Sequence, residues 1–179
     1  MPTPIIDSNL TLEEALAVTL APPEIQQTQI LLNIQHWSFD DALHQGQLLI
    51  HRDVAEEVAA IFKKIEAAHF PIEKIIPVVA YNWSDDISME ENNCSAFNYR
   101  AIVGASALSK HAMGLAVDIN PRLNPYIKGD VVLPPGAVYD PQIPGTLTPG
   151  CVAVQAFTEF GWTWGGDWET RKDWHHFQK

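Results

Sequence analysis

The most regular pattern in the chain lies between Asp53 and His69, where Val54, Val58, Ile61, Phe62 and Ile65 recur at steps of three and four. That spacing draws one apolar stripe along a helix. Asp53 with Glu56 three residues later reads as a capping box, and Pro71 closes the pattern. A shorter helix is predicted from about Leu12 to Thr19, opened by Thr11 and Glu14 and stopped by Pro22-Pro23. Residues 28–38 and 47–51 are rich in Ile and Leu and predict two strands, with Asp40-Asp41 and Gly46 in the connection. Residues 75–81 predict a third strand, in which Pro77 marks an edge or a bulge. Residues 82–98 are polar and turn-like, and Leu115–Ile119 is a compact strand. Between residues 121 and 150 fall 7 prolines and 4 glycines, which predict a long loop of the kind that often carries function. Val152 to Phe160 suits a short helix with Gly161 as its left-handed cap. Strands interspersed with helices, without a regular βαβ rhythm, predict an α+β fold.

Length and charge narrow the function. A chain of 179 residues is the size of one ordinary domain. Its net charge of −11 argues against nucleic-acid binding, which needs a basic footprint, and gives no electrostatic reason to sit on anionic lipid. No apolar run approaches the roughly 18 to 20 residues of a membrane span. The first eighteen residues lack the basic start and apolar core of a signal peptide, which leaves either a cytoplasmic chain or one whose leader lies outside this sequence. Two cysteines, Cys94 and Cys151, allow one disulfide or none.

Candidate chemistry gathers in two segments. In a strand over Leu115–Ile119, alternate side chains share a face, so Asp118 and Ala116 point one way while Leu115, Val117 and Ile119 point into the core. His111 lies seven residues back across a turn at Gly114 and can fold over to meet the carboxylate. One neutral imidazole and one carboxylate make two thirds of a catalytic zinc site, although a buried His–Asp hydrogen bond has the same spacing. Asp173-Trp-His-His176 supplies a further imidazole. Adjacent side chains diverge, so His175 and His176 do not share an ion, whereas Asp173 and His176 at i and i+3 face one side of a helical turn. His111, Asp118 and His176 then leave a fourth position for water, with Asp173 as the candidate proton acceptor; a solvated His-rich tail is the plain alternative. Arg100 matches an oxyanion or carboxylate in a two-pronged geometry, or else makes a surface salt bridge. Of Trp162, Trp164, Trp168 and Trp174, most are expected in the core, with Trp164 and Trp168 as candidate groove walls. Gly165-Gly166 between them permits close approach of backbone or ligand.

The segments Asn92–Arg100, Ser109-Lys-His-Ala-Met-Gly-Leu-Ala-Val-Asp-Ile-Asn-Pro121, Gly161–Trp168 and Asp173-Trp-His-His-Phe177 resemble the zinc D-alanyl-D-alanine carboxypeptidase family. That family includes vancomycin-resistance carboxypeptidases and the L-alanyl-D-glutamate endopeptidases of phage endolysins. The resemblance runs from roughly Gly46 to Lys179, on SxHxxGxxxD and DxxHF elements in the right order. It implies an α+β fold with an antiparallel central sheet flanked by helices, shared with the hedgehog signalling domain. It further implies residues 1–45 as an N-terminal extension packed on a catalytic domain of residues 46–179. By position, the resemblance makes His111, Asp118 and His176 ligands of one zinc ion, Asp173 the general base, Arg100 the oxyanion stabiliser, and Ser109 a residue that orients the site. Several branches carry Glu where Asp173 stands, and the endolysin-like branch carries Asp. The position of Cys94 is more often Thr, so no catalysis attaches to the thiol. The implied activity is hydrolysis of a peptide bond in peptidoglycan stem peptides, in the periplasm or outside the cell. A disulfide between Cys94 and Cys151 would fit such an oxidising compartment. A zinc or peptidoglycan-binding module without catalysis is the alternative, since the hedgehog relatives keep the metal without peptidase work.

Overall fold

The computed structural model describes residues 3–102 and 104–179. Thr11 and Glu14 form the expected capping box, but the helix they open, α1 (Leu12–Ala15), is a single turn. Pro23 does more than stop it. It occupies the first turn of α2 (Pro23–Gln26), where a missing N–H costs nothing. The apolar run that follows becomes β2 (Gln29–Trp37), paired antiparallel along its whole length with β3 (Leu43–His51). β1 (Ile5–Ile6) adds in parallel to the free edge of β3. The boundary expected between residues 45 and 46 therefore falls inside a strand, and Ile34 of β2 shares one core with Leu48 and Ile50 of β3.

The long helix is α3 (Ala55–Ala67), and its stripe of Val58, Ile61, Phe62 and Ile65 is buried. It packs on β2 and on α5 (Val152–Glu159). The capping box expected at Asp53 and Glu56 does not form. Asp53 instead lies inside a 3-10 turn, Arg52–Val54, and its amide donates to His51 Nδ1 at 3.2 Å. Residues 75–81 do not extend as one strand. β4 (Lys74–Ile75) ends before Pro77, which lacks a ladder donor, and a 3-10 turn covers Val78–Tyr81. Within the polar stretch that follows, Ser84 caps α4 (Asp85–Glu90) by accepting the Ile87 amide at 3.3 Å, and β5 (Asn93–Cys94) pairs in parallel with β4.

The C-terminal half positions the site. β6 (Ala116–Asp118) is the strand expected there, with Val117 and Ile119 fully buried. The Pro- and Gly-rich segment contains a hairpin of β7 (Tyr126–Lys128) and β8 (Val131–Leu133). Asn124 ties this segment down: its amide nitrogen donates to Gly145 O at 3.1 Å and its oxygen accepts the Leu147 amide at 2.7 Å. After α5, capped by Gly161 at φ 75°, come β9 (Thr163–Trp164), β10 (Lys172–Asp173) and β11 (His176–Gln178).

The class is α+β, but a single central sheet does not form. The described strands divide into sheets ordered β1-β3-β2, β10-β7-β8 and β6-β11-β9 and a β4-β5 pair. Strands of two or three residues broken by Pro and Gly cannot sustain one continuous ladder. One core joins the β1-β3-β2 and β6-β11-β9 sheets and the β4-β5 pair, with Phe157 stacked on Phe177 at 4.1 Å and Trp164 beside it. Cys94 and Cys151 are both free thiols, so the disulfide considered above is absent. No helix among the described residues is long and apolar enough to cross a membrane.

Candidate active site

β6 and β11 are antiparallel neighbours, with Asp118 directly opposite His176. Opposed side chains in a ladder share a face. His176 Nδ1 accordingly lies 3.0 Å from Asp118 Oδ1. His111 arrives from a 3-10 turn, Lys110–Met113, which Ser109 caps by accepting the His111 amide at 3.3 Å. Gly114 ends that turn at φ 67°, and a Cβ there would strike the Gln29 side chain and the His51 amide. His111 Nε2 ends 3.0 Å from Asp118 Oδ2 and 3.1 Å from His176 Nδ1. All three residues are buried.

The outward ring nitrogens fix the tautomers. His111 Nδ1 is 2.5 Å from the Ala96 carbonyl, and His176 Nε2 is 3.0 Å from Gln178 Oε1. Both partners are acceptors, so both outward nitrogens donate. When both imidazoles are neutral the inward atoms are lone pairs and carboxylate oxygens; when protonated, the imidazoles donate to Asp118 instead. Buried electron-rich groups this close repel one another unless a cation lies between them. The donors of a tetrahedral zinc ion, at 2.0–2.2 Å from the metal, sit about 3.4 Å apart, so opening the cluster by a few tenths of an ångström would admit one. His111, Asp118 and His176 thus form a group that could hold a metal ion. Burial pushes the Asp118 carboxyl up, but the charges on His111 and His175 and the hydrogen bonds from His111 and His176 hold it well below the usual carboxylate range.

Asp173 and His176 do not share a helical turn. Asp173 ends β10, Trp174 and His175 make a tight turn, and His176 opens β11. The next chain position supplies a partner that spacing did not assign. His175 Nδ1 donates to the Asn124 carbonyl at 2.7 Å, while its Nε2 lies 2.9 Å from Asp173 Oδ1 and 3.9 Å from Asp118 Oδ2. Burial lowers the pKa of this imidazole, but Asp173 and then Asp118 raise it to about 9, so it is a cation at neutral pH. Burial in turn raises Asp173, and the charge on His175 pulls it below its ordinary value. The His175 contact is close but off the line of a hydrogen bond, so Asp173 Oδ1 is buried without a hydrogen-bond partner. Asp173 is thus an ionised carboxylate held beside a cationic imidazole at the cavity wall.

These groups line a cavity of about 580 Å³, within the ordinary range for a small-molecule or peptide site. Arg100 and Ser109 line it too. Arg100 makes the salt bridge of the plain alternative, Nε to Asp85 Oδ1 at 2.9 Å, while lining the cavity. Trp168 forms part of the wall, its ring centroid 5.5 Å from that of His176. Trp164 does not. It is 1% exposed, donates from Nε1 to the Trp174 carbonyl at 2.9 Å and packs with Phe177, because the turn at Gly165-Gly166 folds its indole inward. A Cβ on Gly165 would strike the Asp173 backbone, so this glycine seats the strand that carries Asp173.

A buried His–Asp–His group that could hold a metal ion thus stands beside the Asp173 carboxylate in one cavity. Residues 103–179 match the family model described as D-alanyl-D-alanine carboxypeptidase. The match contains His111, Asp118, Asp173 and His176, while Arg100 lies just before it. No curated protein and no solved structure matches the chain significantly.

Proposed function

We propose that the protein is a zinc peptidase that hydrolyses a peptide bond in peptidoglycan stem peptides, of the D-Ala-D-Ala carboxypeptidase or L-Ala-D-Glu endopeptidase type. One observation carries this reading: buried ligand atoms of His111, Asp118 and His176 converge within 4.8 Å of one another, beside the buried carboxylate of Asp173. His111, Asp118 and His176 would hold one zinc ion, which when bound polarises a carbonyl and lowers the pKa of water towards about 7. Asp173 accepts the proton of the attacking water and returns it to the leaving amine. His175, anchored on Asn124, keeps Asp173 ionised and in place. Ser109 fixes the turn that delivers His111. Arg100, paired with Asp85 at the cavity wall, would lend its charge to the developing oxyanion. Trp168 offers a flat wall for the peptide. Peptidoglycan lies outside the cytoplasm, which assigns the work to the periplasm or the cell exterior.

Digestion of purified muropeptides by the zinc-loaded protein, followed by mass spectrometry, tests the reading. Loss of one D-alanine indicates a carboxypeptidase, and a cut within the stem indicates an endopeptidase. Retention of muropeptides with no change of mass, in the presence of stoichiometric zinc, would instead mark a binding module.

A further inference from the structure

The strand that carries Asp173 also carries an unexplained pair of cations. β10 runs antiparallel to β7, with Lys172 opposite Ile127 and Asp173 opposite Tyr126. Continuing that register by one position sets Arg171 opposite Lys128. Alternation along both strands puts Arg171 on the face of Asp173 and Lys128 on the face of Tyr126. The cavity wall has this composition: Tyr126, Lys128, Arg171 and Asp173 line it, whereas Ile127 and Lys172 do not. Like charges directly opposite each other on a sheet repel, so the arrangement weakens the fold unless something negative sits there. No carboxylate among the described residues lies within 4.0 Å of either cation, although the chain has a net charge of −11 and acidic groups in excess. Arg100, the other guanidinium in the wall, is already paired with Asp85. Arg171 is held in place by a neutral surface instead, its guanidinium carbon 4.4 Å from the centroid of the Trp168 ring.

We propose that Arg171 and Lys128 form a subsite that binds a carboxylate of the substrate, on the cavity wall one strand repeat away from Asp173. The proposal rests on the peptidase reading above and sharpens it. Two residues of strand span about 7 Å, the reach of one or two peptide units, so the recognised carboxylate belongs to a residue one or two positions from the bond that Asp173 serves. A stem peptide offers two sources at that range: the terminal carboxylate beyond the last D-alanine and the free carboxylate of its D-glutamate. The chemistry is the same for both, a planar anion received by a guanidinium fork and an ammonium.

The test is calorimetric binding of synthetic stem pentapeptides to the zinc-loaded, turnover-deficient Asp173→Asn protein. Three peptides are compared: both carboxylates free, the terminus as carboxamide, and the glutamate as carboxamide. The subsite requires that one of the two amidations weaken binding about tenfold or more, and the position affected names the source. Adding Arg171→Gln or Lys128→Gln must shrink that ratio, and the two together must bring it close to one. Equal affinity for all three peptides, no binding of any, or a preference that survives the double substitution overturns the proposal. Because binding is read apart from turnover, these results stand whether or not the unsubstituted protein cuts muropeptides. Failure to cut them bears only on the peptidase reading.

Discussion

His111 Nε2 and His176 Nδ1 lie 3.1 Å apart although 65 positions of chain separate them, and in the neutral imidazoles neither nitrogen carries a hydrogen to offer the other. Their outward partners, Ala96 O and Gln178 Oε1, have already claimed the ring protons. Metal uptake and proton transfer should therefore be separable by substitution. His111→Ala removes one of three donors and is expected to leave the protein without bound zinc. Asp173→Asn should keep near-stoichiometric zinc and lose about 10²- to 10⁴-fold in turnover. Metal analysis alongside a muropeptide assay checks both, and zinc loss in Asp173→Asn would remove Asp173 from the role of base.

Zinc affinity should fall on acidification. The donors must be neutral imidazoles and an ionised carboxylate, so protons compete with the metal as the pH drops through the histidine range. Equilibrium dialysis at about pH 5 and pH 7.5, on either side of the histidine range, reads the difference. An affinity independent of pH would count against two histidine ligands.

Gly165→Ala should act on turnover without touching a ligand. The added methyl would press on the backbone of Asp173, which cannot swing away as a side-chain tip can. A displacement of about 1 Å at a proton acceptor costs on the order of a hundredfold in rate. Expected together are normal zinc content, depressed kcat and little change in KM. A fully active variant would mean that β10 has slack.

The N-terminal strand should be held most firmly between the carboxylate and imidazole ranges. Asp7 joins β1 to the hairpin through His36 Nε2 at 3.1 Å and His44 Nδ1 at 2.7 Å. Burial raises Asp7, but hydrogen bonds from His36 and His44 leave it below its ordinary value, so its contribution is present above about pH 4 and lost as the pH falls through the folded value. Burial lowers His44, but Asp7 and Asp40 leave it above its ordinary value, so its contribution is full below about pH 6.5 and lost as the pH rises through the folded value. Amide exchange at Ile5 to Asp7 should be slowest within that window, and Asp7→Asn should flatten the profile. Protection that ignores pH in the unsubstituted protein would show that the two histidines do not govern the attachment.

What the sequence made legible was local. The alternation of Leu115 to Ile119, with a small residue at Gly114, carried enough information to aim Asp118 and His111 at one another. The stripe along α3 was plain because five apolar positions kept one period. What stayed hidden depends on partners far along the chain. Arg171 and Lys128 gain meaning only from the register between β10 and β7, which no periodicity within either segment specifies. His175 looked like a neighbour of a ligand until the loop around Asn124 folded against it. The cap expected at Asp53 failed for a similar reason, since a histidine two residues upstream took the amide first. Trp164 has the composition of a groove wall, and only the inward turn at Gly165-Gly166 assigns it to the core.

Asp118 and His176 face each other as a single rung of the β6–β11 ladder. Because side chains alternate faces, sliding one strand by a single residue would send His176 to the opposite side of the sheet. A molecule assembled out of step would then be inert, with no partly competent form able to cut indiscriminately. Bound zinc would count correctly built copies in a refolded sample, which makes the ion a quality control on the same ladder that creates its site.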